Sequence, residues 1–190
     1  MDEQSHPGPR KNVLHPFSKL PELNTAVILL VGCQAIDTKT LARSLVDLST
    51  DVSLQVRTAT SLPLPPENDD QRPKIDLVVF LLDASVKMSM KVIADSVGHL
   101  DMSYFIGRVC FVVLNASSEQ SHCADIGDIV GLCDTYNSPM LTGNLEPESQ
   151  RQSLARRLLE MTWVAAGFKP GVSPLLIQCT RRSYQFAEVL

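Results

Sequence analysis

The chain reads as a doubly wound α/β domain, three layers thick, with a mostly parallel sheet. Two patterns lead there. Nearly continuous apolar runs at residues 25–31 (TAVILLV), 75–82 (IDLVVFLL) and 108–114 (RVCFVVL) have the composition of strands buried on both faces. Between them lie stretches whose apolar residues recur at helical spacing. Strands alternating with helices imply right-handed crossovers and a parallel sheet covered on both sides.

Size and charge narrow the function. The 190 residues are 44% hydrophobic and 20% charged, ordinary values for a globular chain with a real core and not those of a disordered one. The net charge of −4 has the wrong sign for coating a nucleic-acid backbone. No apolar run approaches the roughly 20 residues of a membrane-spanning helix, and residues 1–11 are polar without the apolar segment of a secretory signal. The five cysteines, Cys33, Cys110, Cys123, Cys133 and Cys179, are odd in number and form no CxxC pair. Reduced thiols inside a cell are therefore expected, without a disulfide framework or a zinc ribbon.

Each element follows from its residues. Residues 1–19 carry Pro7, Gly8, Pro9 and Pro16 among polar neighbours and read as a flexible extension, with the domain over 20–178 and a tail over 179–190. After the first strand, Leu41, Leu45 and Leu48 mark an amphipathic helix over 37–48, with Asp37 or Thr38 as its cap. Residues 53–60 (SLQVRTAT) alternate, as an edge strand does. Pro63, Pro65, Pro66 and Pro73 make 62–74 an exposed loop. Asp83 or Ser85 caps a helix whose inner positions are Val86, Met90, Ile93, Val97 and Leu100. Ile126, Ile129, Val130 and Cys133 line a further helix, and residues 139–142 form a short last strand. Pro147 suits the first position of a long helix, with Leu154, Leu158, Met161 and Ala165 inward, ended by Gly167 and Pro170.

Open parallel sheets bind ligands beyond the carboxyl ends of their strands, so the first loop, 32–40 (GCQAIDTKT), is the place to look. It contains Lys39 and Thr40, reminiscent of the phosphate-cradling GxxxxGK[ST], but the register fails. Counted from Gly32, Asp37 stands where the second glycine belongs, Thr38 for the lysine and Lys39 for the hydroxyl. An aspartate there repels phosphate, by about 4 kcal/mol at roughly 4 Å and an effective dielectric near 20. Asp83 follows a strand, yet Val86 replaces the glycine of DxxG. Asn115 follows another, yet Ala116 and Ser118 replace the lysine and aspartate of NKxD. The scaffold of a small GTPase is legible with its phosphate, magnesium and base contacts degraded, so neither a cofactor nor a metal is expected.

Other chemistry is thin. GxSxG and HExxH are absent. His122 and Cys123 beside Cys133 are the nearest approach to a metal cluster, with core packing the simpler account. His99 reads as structural near a helix end, and the spacing of Asp76 and Asp83 suggests no acid–base pair.

Seven segments then stand out together: LNTAVILLVG (23–32), SLPLP (61–65), RPKIDLVVF (72–80), GRVCF (107–111), SHC (121–123), TYNSP (135–139) and PGVS (170–173). With them the chain resembles the centromere protein M family, kinetochore subunits of small-GTPase-like (P-loop NTPase-like) fold, from about residue 20 to 173. The segment before about Val13 is outside the likeness. The resemblance implies a pseudo-GTPase, not an enzyme, that acts as a nuclear scaffold in the constitutive centromere-associated network. Its implied partner is centromere protein I, with the H and K subunits, in mitotic kinetochore assembly and chromosome segregation. It implies no small-molecule substrate, nucleic acid or membrane, and a monomer when alone.

Two apolar segments are candidates for a partner surface: Tyr104, Phe105 and Ile106 ahead of a strand, and residues 172–177 (VSPLLI) with Leu175 and Leu176 after the last helix. Ile106 and Leu175 are the leading contacts, and packing of these residues on their own sheet is the alternative. Arg156, Arg157, Arg181 and Arg182 suit a polar rim or a solvated face. The competing functions are a divergent nucleotide switch using Lys39 and Thr40, and a flavodoxin-like regulatory domain without a cofactor.

Overall fold

A computed structural model describes residues 13–50, 52–65, 72–116, 125–177 and 179. Along these the chain forms β1 (Thr25–Gly32), α1 (Thr38–Leu48), β2 (Ser53–Ala59), β3 (Leu77–Asp83), α2 (Lys87–Val97), a 3₁₀ turn (Met102–Phe105), β4 (Val109–Leu114), α3 (Ile126–Thr135), β5 (Met140–Gly143) and α4 (Glu148–Ala166). The strands make one sheet in the order β2-β1-β3-β4-β5, every pair parallel. This is a doubly wound order whose switch point lies between β1 and β3, consistent with a small-GTPase-like fold. Flavodoxin-like sheets share it, so the loops rather than the strand order separate those two possibilities.

Burial of the central strands on both faces sets the three layers. Val27, Leu29 and Val31 of β1, Val78, Phe80 and Leu82 of β3 and Val109, Phe111 and Val113 of β4 point one way, onto Ile93 and Val97 of α2 and Ile129 and Cys133 of α3. The alternate residues, Ile28, Leu30, Val79, Leu81, Cys110 and Val112 among them, point the other way, onto Leu41 and Leu45 of α1 and Leu154, Leu158 and Ala165 of α4. Period-two alternation therefore feeds two separate cores from one sheet. Phe80 and Phe111 stack across neighbouring strands with ring centroids 5.4 Å apart, worth about 0.5–1.5 kcal/mol beyond their buried area.

Several elements differ locally from the expectation. The N-cap of α2 is Val86, without a side-chain cap bond. The Asp83 carboxylate instead accepts from the Ser85 amide at 2.9 Å and from Asn115 Nδ2 at 3.0 Å. α2 ends at Val97, so Leu100 is buried beyond it and His99 follows it, its carbonyl accepting from the Leu14 amide. Val130 faces solvent, because the turn of α3 presents Ile129 and Cys133 inward. Pro147 is the cap of α4 rather than its first residue, while Gly167 ends that helix at φ +86° as expected. The loop after β2 is anchored by a buried Leu62, whose amide donates to Ser96 Oγ at 3.0 Å. Residues 13–19, assigned to the extension by composition, pack on the domain: Leu14 bridges to Leu100, and Pro16 is buried.

Among the described residues one charged pair lies inside. Asp76, 3% exposed, accepts from Lys74 Nζ at 2.9 Å and from the Val27 amide at 3.0 Å. Removing one partner of a buried pair leaves the other charge uncompensated. Asp76→Ala is expected to lower the unfolding free energy by about 3 kcal/mol, measured by urea titration, whereas exposed Asp95→Ala is expected to leave it within about 0.5 kcal/mol.

Candidate functional site

The parallel sheet has two ends of different character, and the loops at each end show what each can do. At the carboxyl end, the turn after β1 is closed on itself. The Ile36 amide donates to the Cys33 carbonyl at 3.0 Å, the Thr38 amide to the Ile36 carbonyl at 2.8 Å, and the Thr40 amide to Asp37 Oδ1 at 3.2 Å. The Thr40 hydroxyl also donates to the Asp37 carboxylate. Three amides of the kind that cradle phosphate, and the hydroxyl that would hold magnesium, thus already have acceptors. Side chains fill the space as well. Ile36 is buried, and a Cβ on Gly32 would lie 3.3 Å from Thr38 Cγ2 and 3.6 Å from Ile36 Cδ1. Lys39 is exposed at the rim of the shallow cleft between this loop and residues 58–60.

The base-reading position is also occupied from within. Asn115 takes a left-handed conformation (φ +58°) after β4 and holds Asp83 through its side-chain amide. Its backbone amide donates to Asn144 Oδ1 at 2.9 Å, tying the β4 and β5 loops together. Asp76 and Asp83 sit at opposite ends of the β3 segment with different partners, so they form no acid–base pair. Ser118, His122 and Cys123 lie outside the described residues, and Cys133 is buried on α3. Among the described residues no three His, Cys, Asp or Glu side chains gather as a metal site, and no helix is long and apolar enough to cross a membrane.

The amino end is different. Because the helices run back against the strands, α4 delivers the chain to this end, where residues 168–177 meet the connection entering β4. Gly107 makes the contact close: its φ is +72°, and a Cβ there would lie 2.7 Å from the Pro174 carbonyl oxygen. Phe17, Ser103, Ile106, Arg108, Ser173, Pro174 and Leu175 line one open groove of about 180 Å³. Phe17 is 66% exposed, Ile106 44% and Leu175 59%, with exposed Leu20, Leu23, Met102, Val172 and Leu176 on the segments around them. The Arg108 guanidinium lies 5.2 Å from the Phe17 ring centroid, within cation–π range.

Of the expected contact residues, Ile106 and Leu175 are thereby brought together across 69 positions of sequence. Phe105 is half-buried and stacks on Tyr136 at 4.8 Å, beneath the surface. Tyr104 is fully buried and its hydroxyl donates to the Ile75 carbonyl at 3.3 Å, so it belongs to the core and not to an exposed contact. Burial pushes its phenol above the ordinary tyrosine range. Phe17 was missed by sequence reasoning, since the prolines and polar residues around it make residues 1–19 read as an extension outside the domain. Arg156 and Arg157 are exposed on α4, and Arg181 and Arg182 lie outside the described residues.

The family model for centromere protein M matches residues 11–184. Centromere protein M of Homo sapiens is 42% identical over 173 residues, covering 90% of this chain and 94% of that one. The Bos taurus protein is 41% identical over 165 residues (86% and 90%), and that of Xenopus laevis 36% over 165 (86% and 91%). This chain belongs to the centromere protein M family. In this member the turn after β1 is sealed by Asp37, while the amino end of the sheet carries the exposed apolar groove.

Asp37 links the sealed turn to pH. The Thr40 hydroxyl and amide, donating to its carboxylate, hold its carboxyl below the usual aspartate range. A carboxyl depressed on folding stabilises the fold above its unfolded pKa, and that contribution disappears as pH falls through the folded value. Asp37→Ala is expected to cost about 1 kcal/mol at neutral pH. In parallel urea titrations the gap between variant and parent should close only as pH drops below the usual aspartate range.

Proposed function

We propose that this chain is a non-catalytic structural subunit of the inner kinetochore. In this reading it works in the nucleus at the centromere, within the constitutive centromere-associated network. It binds and stabilises centromere protein I, with centromere proteins H and K, for chromosome segregation. Its fold is that of a GTPase without the activity, and it is a monomer when alone, with no small-molecule substrate, cofactor, nucleic acid or membrane partner.

The observation that carries this reading is the groove where Ile106 and Leu175 meet, at the end of the sheet opposite the sealed turn. Family membership supports the centromere assignment. The internal bonds of residues 36–40 support the loss of nucleotide binding, since a polyphosphate would have to displace Asp37 from Thr40 and bring its own charge beside that carboxylate. Burying each exposed apolar side chain in the groove is worth about 1.5–3 kcal/mol, enough for a few residues to anchor a stable contact.

Two experiments test it. Millimolar GTP or ATP with magnesium is expected to leave the melting temperature unchanged. A ligand at about 100 times its dissociation constant would add roughly 2.7 kcal/mol, and a shift of that kind would restore the switch built on Lys39 and Thr40. Ile106→Glu and Leu175→Glu are each expected to abolish co-elution with the complex of centromere proteins I, H and K while the variant alone stays folded by circular dichroism. Retained co-elution of both variants refutes the assigned surface.

A further inference from the structure

Residues 14–18 form a turn that is tied down at four positions. The Leu14 amide donates to the His99 carbonyl and the Leu14 carbonyl accepts from the Asp101 amide, both at 2.9 Å, while its side chain packs against the core. His15 Nδ1 lies 3.0 Å from Asp101 Oδ2. Pro16, a residue that suits the second position of a turn, is buried. The Ser18 hydroxyl closes the turn on the His15 carbonyl at 3.3 Å. Fixing these residues costs backbone entropy, yet the large apolar side chain they carry is not buried: Phe17 stays 66% exposed on the groove. The Arg108 guanidinium over its ring is itself placed, with the Arg108 amide on the Tyr104 carbonyl at 2.9 Å and Nη1 3.5 Å from the Asp76 carbonyl. The ring is thus ordered before anything covers it.

We propose that Phe17 is a preordered anchor whose ring enters an apolar pocket of the protein partner, with His15 as the positioning residue that latches its turn to Asp101. This rests on the docking reading above and adds a third contact to Ile106 and Leu175. Phe17, Ile106 and Leu175 line one groove, so a single apolar face of the partner covers all three. Aromatic anchors seated in a partner's pocket carry a disproportionate share of binding energy, and one already held in place loses little freedom on docking. The same ring on a loose segment would lack that advantage, and the bonds of Leu14 and His15 supply it.

The test measures dissociation constants between the full chain and the purified complex of centromere proteins I, H and K. Phe17→Ala is expected to bind at least about tenfold more weakly, with a melting temperature within roughly 2 °C of the parent's, since little of its surface is buried. Phe17→Leu, which keeps an apolar side chain, is expected to bind within about threefold of the parent. His15→Ala is expected to weaken binding severalfold in the parent and not at all in the Phe17→Ala background, as a residue acting through the ring must. Equal losses in both backgrounds overturn the latch. Parent-like binding by Phe17→Ala, with binding lost in Ile106→Glu, overturns the anchor and leaves the docking surface standing. A melting temperature several degrees lower in Phe17→Ala overturns the anchor too, because the ring would then belong to the fold. Full binding by Ile106→Glu and Leu175→Glu removes the docking reading and this inference together.

Discussion

The amides of the turn after β1 need acceptors, and what supplies them decides what this fold can do. A backbone N–H left bare and pointing outward at the start of a helix is a ready site for an anion. Here the Cys33 and Ile36 carbonyls and the Asp37 carboxylate take that role. The same aspartate caps α1, holds the Thr40 hydroxyl and places a negative charge at the switch point of the sheet. A single side chain therefore starts a helix well and receives phosphate badly. The local rule for a stable helix start and the functional rule for a nucleotide cradle are in conflict at this position, and the cap prevails.

A parallel sheet also forces the two ends of the domain apart in character. Every strand enters at one end and leaves at the other, and every crossover helix brings the chain back. The end where strands leave is knitted by polar side chains: Asp83 to Ser85 and Asn115, and Asn115 to Asn144. The end where they enter gathers the segment before β1, the 3₁₀ turn before β4 and the chain beyond α4. From these connections Tyr104 turns into the core and Leu14 and Phe105 pack against it, whereas Phe17, Ile106 and Leu175 stay outside. Those three line one groove at the surface, so the end of the sheet with the sealed turn is polar and the opposite end is apolar.

Where sequence and structure part company, the cause is a bond or a contact between distant residues. Asp83 looked like a helix cap by position, but Asn115, 32 residues later, recruits its second oxygen, and Val86 takes the cap position. Tyr104 reads as one of three equivalent apolar residues in a connection. Its ring in fact turns inward, with its hydroxyl on the Ile75 carbonyl, while Ile106 two positions on turns out. Residues 13–19 have the composition of a loose lead-in, yet the Leu14 amide and carbonyl bond on either side of Leu100. Val130 shows the same limit on a helix, where about a quarter-turn of phase separates core from solvent.

By itself, the sequence determined the layered parallel architecture, because unbroken apolar runs can only be satisfied by cover on both faces. It also determined the failure of the phosphate motif, because motif register is a matter of counting along one chain. The tertiary structure alone decided that Ile106 and Leu175 share a groove with Phe17 and that Tyr104 does not. The first of these depends on where α4 releases the chain and how closely Gly107 admits Pro174, the second on the bond of Tyr104 to the Ile75 carbonyl and its place in the core. Proximity between segments so far apart is set by packing, on which no local spacing reports.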